Sequence, residues 1–175
     1  MANVDFPRGF EIIRKVGSEA HTVEYFDISS SNGAIGKGDL VEMRSDGYAH
    51  PAQASSVTII GTAAEYKAAN AGGQIGVNPI DPSTRLRAQV DDNSVAAQTN
   101  LGLNYDIVAT SPNTTTGQSR MEIDGSTGAT TSTLPIKVWR VEATEQYGKT
   151  NTFGEFVVVE CSINANALYG GGAGV

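Results

Sequence analysis

One cysteine and two histidines are all that this chain of 175 residues offers to redox or metal chemistry. Cys161 alone cannot form an internal disulfide framework, and no Cys pair or His/Cys cluster exists to hold zinc. As a lone cysteine it is expected to be a buried small hydrophobe. His21 and His50 stand without neighbouring cysteines or paired carboxylates, so each is expected to be a strand residue with a local partner. Hydrophobic residues make up 39% of the chain and aromatic residues 7%. A core drawn from so few is thin, which suits a barrel or sandwich where each strand contributes one face. Long apolar runs are missing as well. The longest, Val157-Val-Val159, is far too short to cross a membrane, and no secretory h-region follows Met1. Positive charge is also scarce: twelve Lys and Arg face nineteen Asp and Glu, for a formal charge of −7. An acidic surface repels phosphate, so nucleic acid is not expected as a partner, and the short apolar runs leave no membrane expected either.

The motifs of catalysis are missing or incomplete. A Ser-His-Asp triad needs His21 or His50, but the chain has no G-x-S-x-G elbow. Gly33-Ala-Ile-Gly-Lys-Gly38 has the flavour of a phosphate loop, yet it lacks the spacing, the Ser/Thr after Lys37 and a following helix. A solvated hairpin turn is the expectation there. Asp91-Asp92 with Asn93 lacks the alternating ligands and terminal Glu of a calcium loop, and reads as an Asx-type turn. Asn113-Thr-Thr115 matches a glycosylation acceptor without a secretory context. No catalytic, cofactor-binding or metal-ligating residue is assigned, and the chain is expected not to be an enzyme.

What the sequence does contain is alternation. Leu86, Ala88 and Val90, then Met121 and Ile123, then Leu134, Ile136 and Val138 recur at every second position, the mark of strands with one buried face. Gly, Asn, Asp, Ser and Thr between them supply turns. The stretch from Leu86 to Val141 therefore reads as a meander. Strands are also expected over 20–28, 35–43, 48–52, 57–60 and 156–163, with a tight turn at Ser45-Asp-Gly47 and one helical turn ended by Gly102. For residues 63–71, strand continuation followed by loop competes with a short helix capped by Thr62 and Glu65. About nine short strands result, an all-β barrel or sandwich.

Around that domain, taken as residues 17–169, lie an N-terminal segment and a Gly-rich tail over 170–175. Residues 1–16 carry Val4, Phe6, Phe10, Ile12 and Ile13, while Pro7 and Gly9 exclude a helix. They fit a first strand of the chain's own core or an arm laid on a neighbouring subunit. The arm is the reading we take, so that removing residues 1–14 is expected to leave the domain folded. Trp139 alternates with Lys137 and Val141 on one strand face, and suits either the core or an interface, where tryptophan is enriched.

Two parts of the chain resemble a known family. Met1-Ala-Asn-Val-Asp-Phe-Pro-Arg-Gly-Phe10 is similar to the opening of small proteins encoded beside the major capsid gene of tailed bacteriophages. Ala96-Ala-Gln-Thr-Asn-Leu-Gly-Leu-Asn-Tyr-Asp-Ile-Val108, Thr114-Thr-Thr-Gly-Gln-Ser-Arg-Met-Glu-Ile-Asp124 and Ser126-Thr-Gly-Ala-Thr-Thr-Ser-Thr-Leu-Pro-Ile-Lys-Val138 resemble that family's repeated pattern. Ile123 stands where Leu is usual, and Gly128 interrupts the Thr tract. These are the capsid decoration, or cement, proteins. The resemblance implies an all-β virion protein on the outer surface of the head, bound to the major capsid protein and to itself as a homotrimer. Tail or head–tail connector proteins are the structural alternative. A glycan-binding adhesion module, stacking sugars on Tyr48, Tyr66 or Trp139, is another.

Overall fold

The computed structural model describes residues 3–15, 22–142 and 150–164. Within them lie eleven strands: β1 (Glu11–Lys15), β2 (Glu24–Ile28), β3 (Leu40–Met43), β4 (Ala49–Pro51), β5 (Ile59–Ala63), β6 (Gly73–Pro79), β7 (Thr84–Gln89), β8 (Asn104–Val108), β9 (Glu122–Ala129), β10 (Ile136–Val141) and β11 (Val158–Ile163). A single turn of 3-10 helix, Gln98–Asn100, precedes Gly102, as the Ala-rich stretch suggests. His21, the Gly-rich tail and much of the polar connection before β11 lie outside the described residues.

The strands form two antiparallel sheets, one of six in the order β1-β7-β11-β10-β8-β9 and one of five in the order β2-β6-β5-β3-β4. The all-β expectation holds, in its sandwich form. Both sheets curl. A parallel bridge between Val90 and Ile123 joins the β7 and β9 sides of the larger sheet, and the outer strands β2 and β4 of the smaller one approach each other. Alternation explains the packing: Leu86 and Ala88 of β7, Tyr105 and Ile107 of β8, Ile136 and Val138 of β10, and Val159 and Cys161 of β11 point into one apolar cluster. Each large side chain buried there contributes roughly 1.5–3 kcal/mol. Leu40 and Ile59 join it from the smaller sheet, whereas Val41, Ile60, Ile75 and Val77 form a second cluster on that sheet's other side. Cys161 is buried, as expected.

Three sequence expectations need correction. The run from Leu86 to Val141 is no meander, because β7 pairs with β1 and β11, and β10 with β8 and β11. Alternation shows which face of a strand is buried but not which strand lies beside it. Strand β6 lies over a stretch where the sequence led us to expect no strand; its alternation is two residues long, Ile75 and Val77, and pairing on both edges sustains it. The Gly33–Gly38 loop is not a solvated turn. Ile35, Gly36 and Gly38 are buried, and the loop bonds to both halves of the chain, Gly38 N donating to Ala63 O and Lys37 N to Gly117 O. Gly36 has no room for a side chain, since a Cβ would meet Pro112 and the Ser119 backbone. The segment 63–71 follows the strand-then-loop reading, with β5 ending at Ala63.

The N-terminal segment lies on its own chain. Residues 22–79 build the five-stranded sheet and residues 84–163 the other, to which β1 is added as an edge strand. Ahead of β1, the Asn3 side chain donates to Thr152 O and Glu155 O at 2.8 and 2.9 Å and accepts from Thr152 N at 3.1 Å. Phe6 N donates to Gln89 Oε1, Gln118 Nε2 to Arg8 O, and Phe10 N to Gly38 O. The first of the two readings describes residues 10–15. Phe10 is 1% exposed in the larger core, so its placing at an intersubunit interface is corrected.

Candidate interaction surface

The outward side of the six-stranded sheet is built from the residues that alternate with the core positions. Pairing places them in rows across four strands. Glu11 of β1 opposes Arg87 of β7, Arg87 opposes Glu160 of β11, and Glu160 opposes Arg140 of β10. Charges in this row alternate and cancel. The next row does not cancel. Arg14 opposes Arg85, and Ser162 opposes Lys137 at the neighbouring position of β11 and β10. Like charges directly opposite one another are unfavourable in a sheet.

Glu160 relieves part of that strain. Its carboxylate is 2% exposed and takes Arg14 Nη2 at 2.7 Å on one oxygen, and Arg140 Nε and Nη2 at 2.9 and 2.7 Å on the other, with Arg85 Nε at 3.6 Å. Burial works to raise the Glu160 carboxyl, but the bonds from Arg14 and Arg140 prevail and hold it below the usual range. Arg14 and Arg140 remain largely exposed. A guanidinium has five donors, so most of theirs point to solvent from fixed positions.

Trp139 stands between the two rows. A bulge falls between Val138 and Arg140, leaving Trp139 as the extra residue and turning Val141 to the core side, so Val141 does not share its face. Trp139 is 41% exposed, with Nε1 donating to Ser162 Oγ at 2.8 Å. The Arg85 guanidinium lies 4.6 Å and the Lys137 ammonium 5.0 Å from its ring centroid, within cation–π range. The ring is thus outside the core, pinned at its edge and braced by cations.

The other residues expected at an interface are scattered. Phe6 is 48% exposed with the Arg8 guanidinium 5.0 Å from its ring, Val4 and Ile13 are half-buried, and Ile12 packs against the larger core. Arg14, Arg85, Arg140 and Glu160 were not singled out from the sequence. The alternation in Thr84-Arg-Leu-Arg-Ala-Gln89 signals the outward direction of Arg85 alone among them, and the convergence of all four needs the β1-β7-β11-β10 order. His50 has its local partner, Asp46, with Nε2 at 2.9 Å from Oδ2. Asp92 forms the expected turn, accepting from Ser94 N. Tyr48, 41% exposed, lies by the β3–β4 turn of the smaller sheet, and Trp139 on the larger one. An open cleft of about 370 Å³ lies beside Phe10, Ile12 and Thr62, with Glu11, Lys37 and Gln118 also on its wall. Comparison with known proteins finds no matching family model, no curated relative and no similar solved structure.

Proposed function

We propose that this chain is a non-enzymatic structural protein of a bacteriophage particle, a capsid decoration protein that binds the outer surface of the head. The observation that carries the reading is Trp139, held rigid and partly exposed on an open sheet face, together with the resemblance of residues 96–138 to such proteins. A side chain of that size, fixed by a hydrogen bond and two cations, loses little conformational freedom on contact, and Trp and Arg are the residues that dominate interface energetics. Its partners are the major capsid protein and other copies of itself, in a closed trimer that matches threefold positions of an icosahedral shell. Cementing follows mass action: a protein that binds the assembled shell and not its dissociated subunits stabilises each site by RT ln(1 + [L]/Kd).

The test is to add purified protein to expanded, undecorated heads. Saturable binding and greater heat resistance of the heads are expected. Binding to isolated tails or necks instead would move the protein to the connector, and binding to glycans with no head binding would make it an adhesion module.

A further inference from the structure

Five of the chain's twelve basic residues, Arg14, Arg85, Arg87, Lys137 and Arg140, share the outward face of four neighbouring strands, β1, β7, β11 and β10, with two carboxylates, Glu11 and Glu160. On those four strands that is a surplus of three positive charges, on a chain whose net charge is −7; β8 and β9, further along the sheet, turn Asp106, Glu122 and Asp124 to the same side. The surplus is confined to one row, Arg14, Arg85 and Lys137, and Trp139 lies against it. Folding does not call for such an arrangement, since cross-strand repulsion between Arg14 and Arg85 opposes it.

We propose that this face docks an acidic polypeptide segment, with carboxylates on the Arg14 and Arg140 guanidiniums and one apolar side chain against Trp139. The inference deepens the decoration reading, and rests on it only for which protein carries the segment. Glu160 acts as an internal template. By holding guanidiniums that would otherwise sample many rotamers, it leaves their remaining N–H forks aimed outward, and a forked donor matches a carboxylate. Neighbouring strands are about 4.8 Å apart, so cations spread over four strands span a distance that alternate side chains of one extended segment reach. A nucleic acid fits less well. A long polyanion meets the acidic remainder of the chain, and two of the five cations here are already offset by Glu11 and Glu160. A short acidic segment meets only the face.

Trp139 is the sole tryptophan, so its emission reports on this face and nowhere else. The experiment titrates the full chain with three probes: a glutamate-rich peptide of about twelve residues with one central leucine, its glutamine counterpart, and a single-stranded oligonucleotide. The acidic peptide is expected to give a saturating shift that salt weakens, and the other two none. In the Arg14→Gln/Lys137→Gln variant the affinity is expected to fall about tenfold, with Arg140 and Arg85 still on Glu160 and an unchanged circular dichroism spectrum. If that variant does not fold, Lys137→Glu replaces it, with the same loss expected. No shift with the acidic peptide, an equal shift with the glutamine peptide, or a shift with the oligonucleotide alone overturns the proposal. A parallel assay on undecorated heads separates the two readings. Wild-type binding that the variant retains overturns this face as the contact and leaves decoration standing. A wild type that binds the peptide but not the heads supports the face and overturns decoration.

Discussion

Asp5 and Glu122 share a single amide: Gln89 Nε2 lies 3.1 Å from a carboxylate oxygen of each. One neutral donor thus joins the N-terminal segment to β9 between two acids. Burial, then the nearby charges of Asp5 and Asp91, push the Glu122 carboxyl up to about 7, against the pull of Gln89 and Arg120. Asp39, fully buried at the turn into β3, is pushed up to about 6 by burial, with the Ser119 side chain and the Gly36 amide opposing.

A raised carboxyl keeps in the native state a proton that the unfolded chain releases. Stability therefore declines as pH rises from the ordinary value, 4.5 for Glu122, to the folded one near 7, and the penalty is complete above it. We expect the urea midpoint to be higher at pH 5 than at pH 8. Glu122→Gln flattens this slope and gains on the wild type at the higher pH. Equal slopes in the two proteins would show that Glu122 is not the group responsible.

Phe10 and β1 yield a second expectation. Phe10→Ala leaves a cavity in the larger core and costs about 3–5 kcal/mol. Removing residues 1–14 takes away Phe10, most of β1 and the Arg14 bond to Glu160, so the truncated chain is expected to be unfolded by circular dichroism at 25 °C. A cooperative melt like that of the intact chain would restore the detachable arm.

Glu160 governs the acid side. Its lowered carboxyl contributes stability that is present above its ordinary value of 4.5 and lost as pH falls through the folded one. Glu160→Ala leaves three arginines without their shared acceptor and is expected to cost about 1–3 kcal/mol at neutral pH. The midpoint of the acid transition should then shift to higher pH. A variant that resists acid as well as the wild type contradicts this role.

Trp139→Ala separates stability from contact. The ring is outside the core, so the thermal midpoint is expected to fall by only a few degrees, about what 1 kcal/mol does in a domain of this size. Head binding should fall at least about tenfold, the usual loss at an interface hot spot. Binding at wild-type strength would remove Trp139 from the contact.

The strands that the sequence shows most plainly are those whose apolar residues alternate over three positions, such as Leu86, Ala88 and Val90. The Ser45-Asp-Gly47 hairpin is equally plain, because its turn chemistry is local. Strand β6 escaped because two alternating residues between Gly73 and Pro79 do not outweigh the breakers around them. Phe10 and Ile12 were legible as apolar anchors, but not what they anchor to, which β7 supplies more than seventy positions later in the chain. The basic face follows the same logic. Arg14, Arg85, Glu160 and Arg140 come from four strands, and only the order of those strands gathers them.

The placing of β1 sets a timetable for the molecule. Arg14 and Glu160 are separated by 146 positions, and Asn3 and Thr152 by 149. On the ribosome, β1, the first of the described strands, has no partner until β7 appears, while the centre of its sheet waits for β11, the last of the described strands. The five-stranded half has all its strands by Pro79, although Leu40 and Ile59 still await the larger core. The six-stranded half does not have its strands by then, and loops that long must close before their contacts repay the lost entropy. Assembly of the larger sheet is therefore a late event, completed only once nearly the whole described chain has been made, and Trp139 and its arginines are brought together in that same final step.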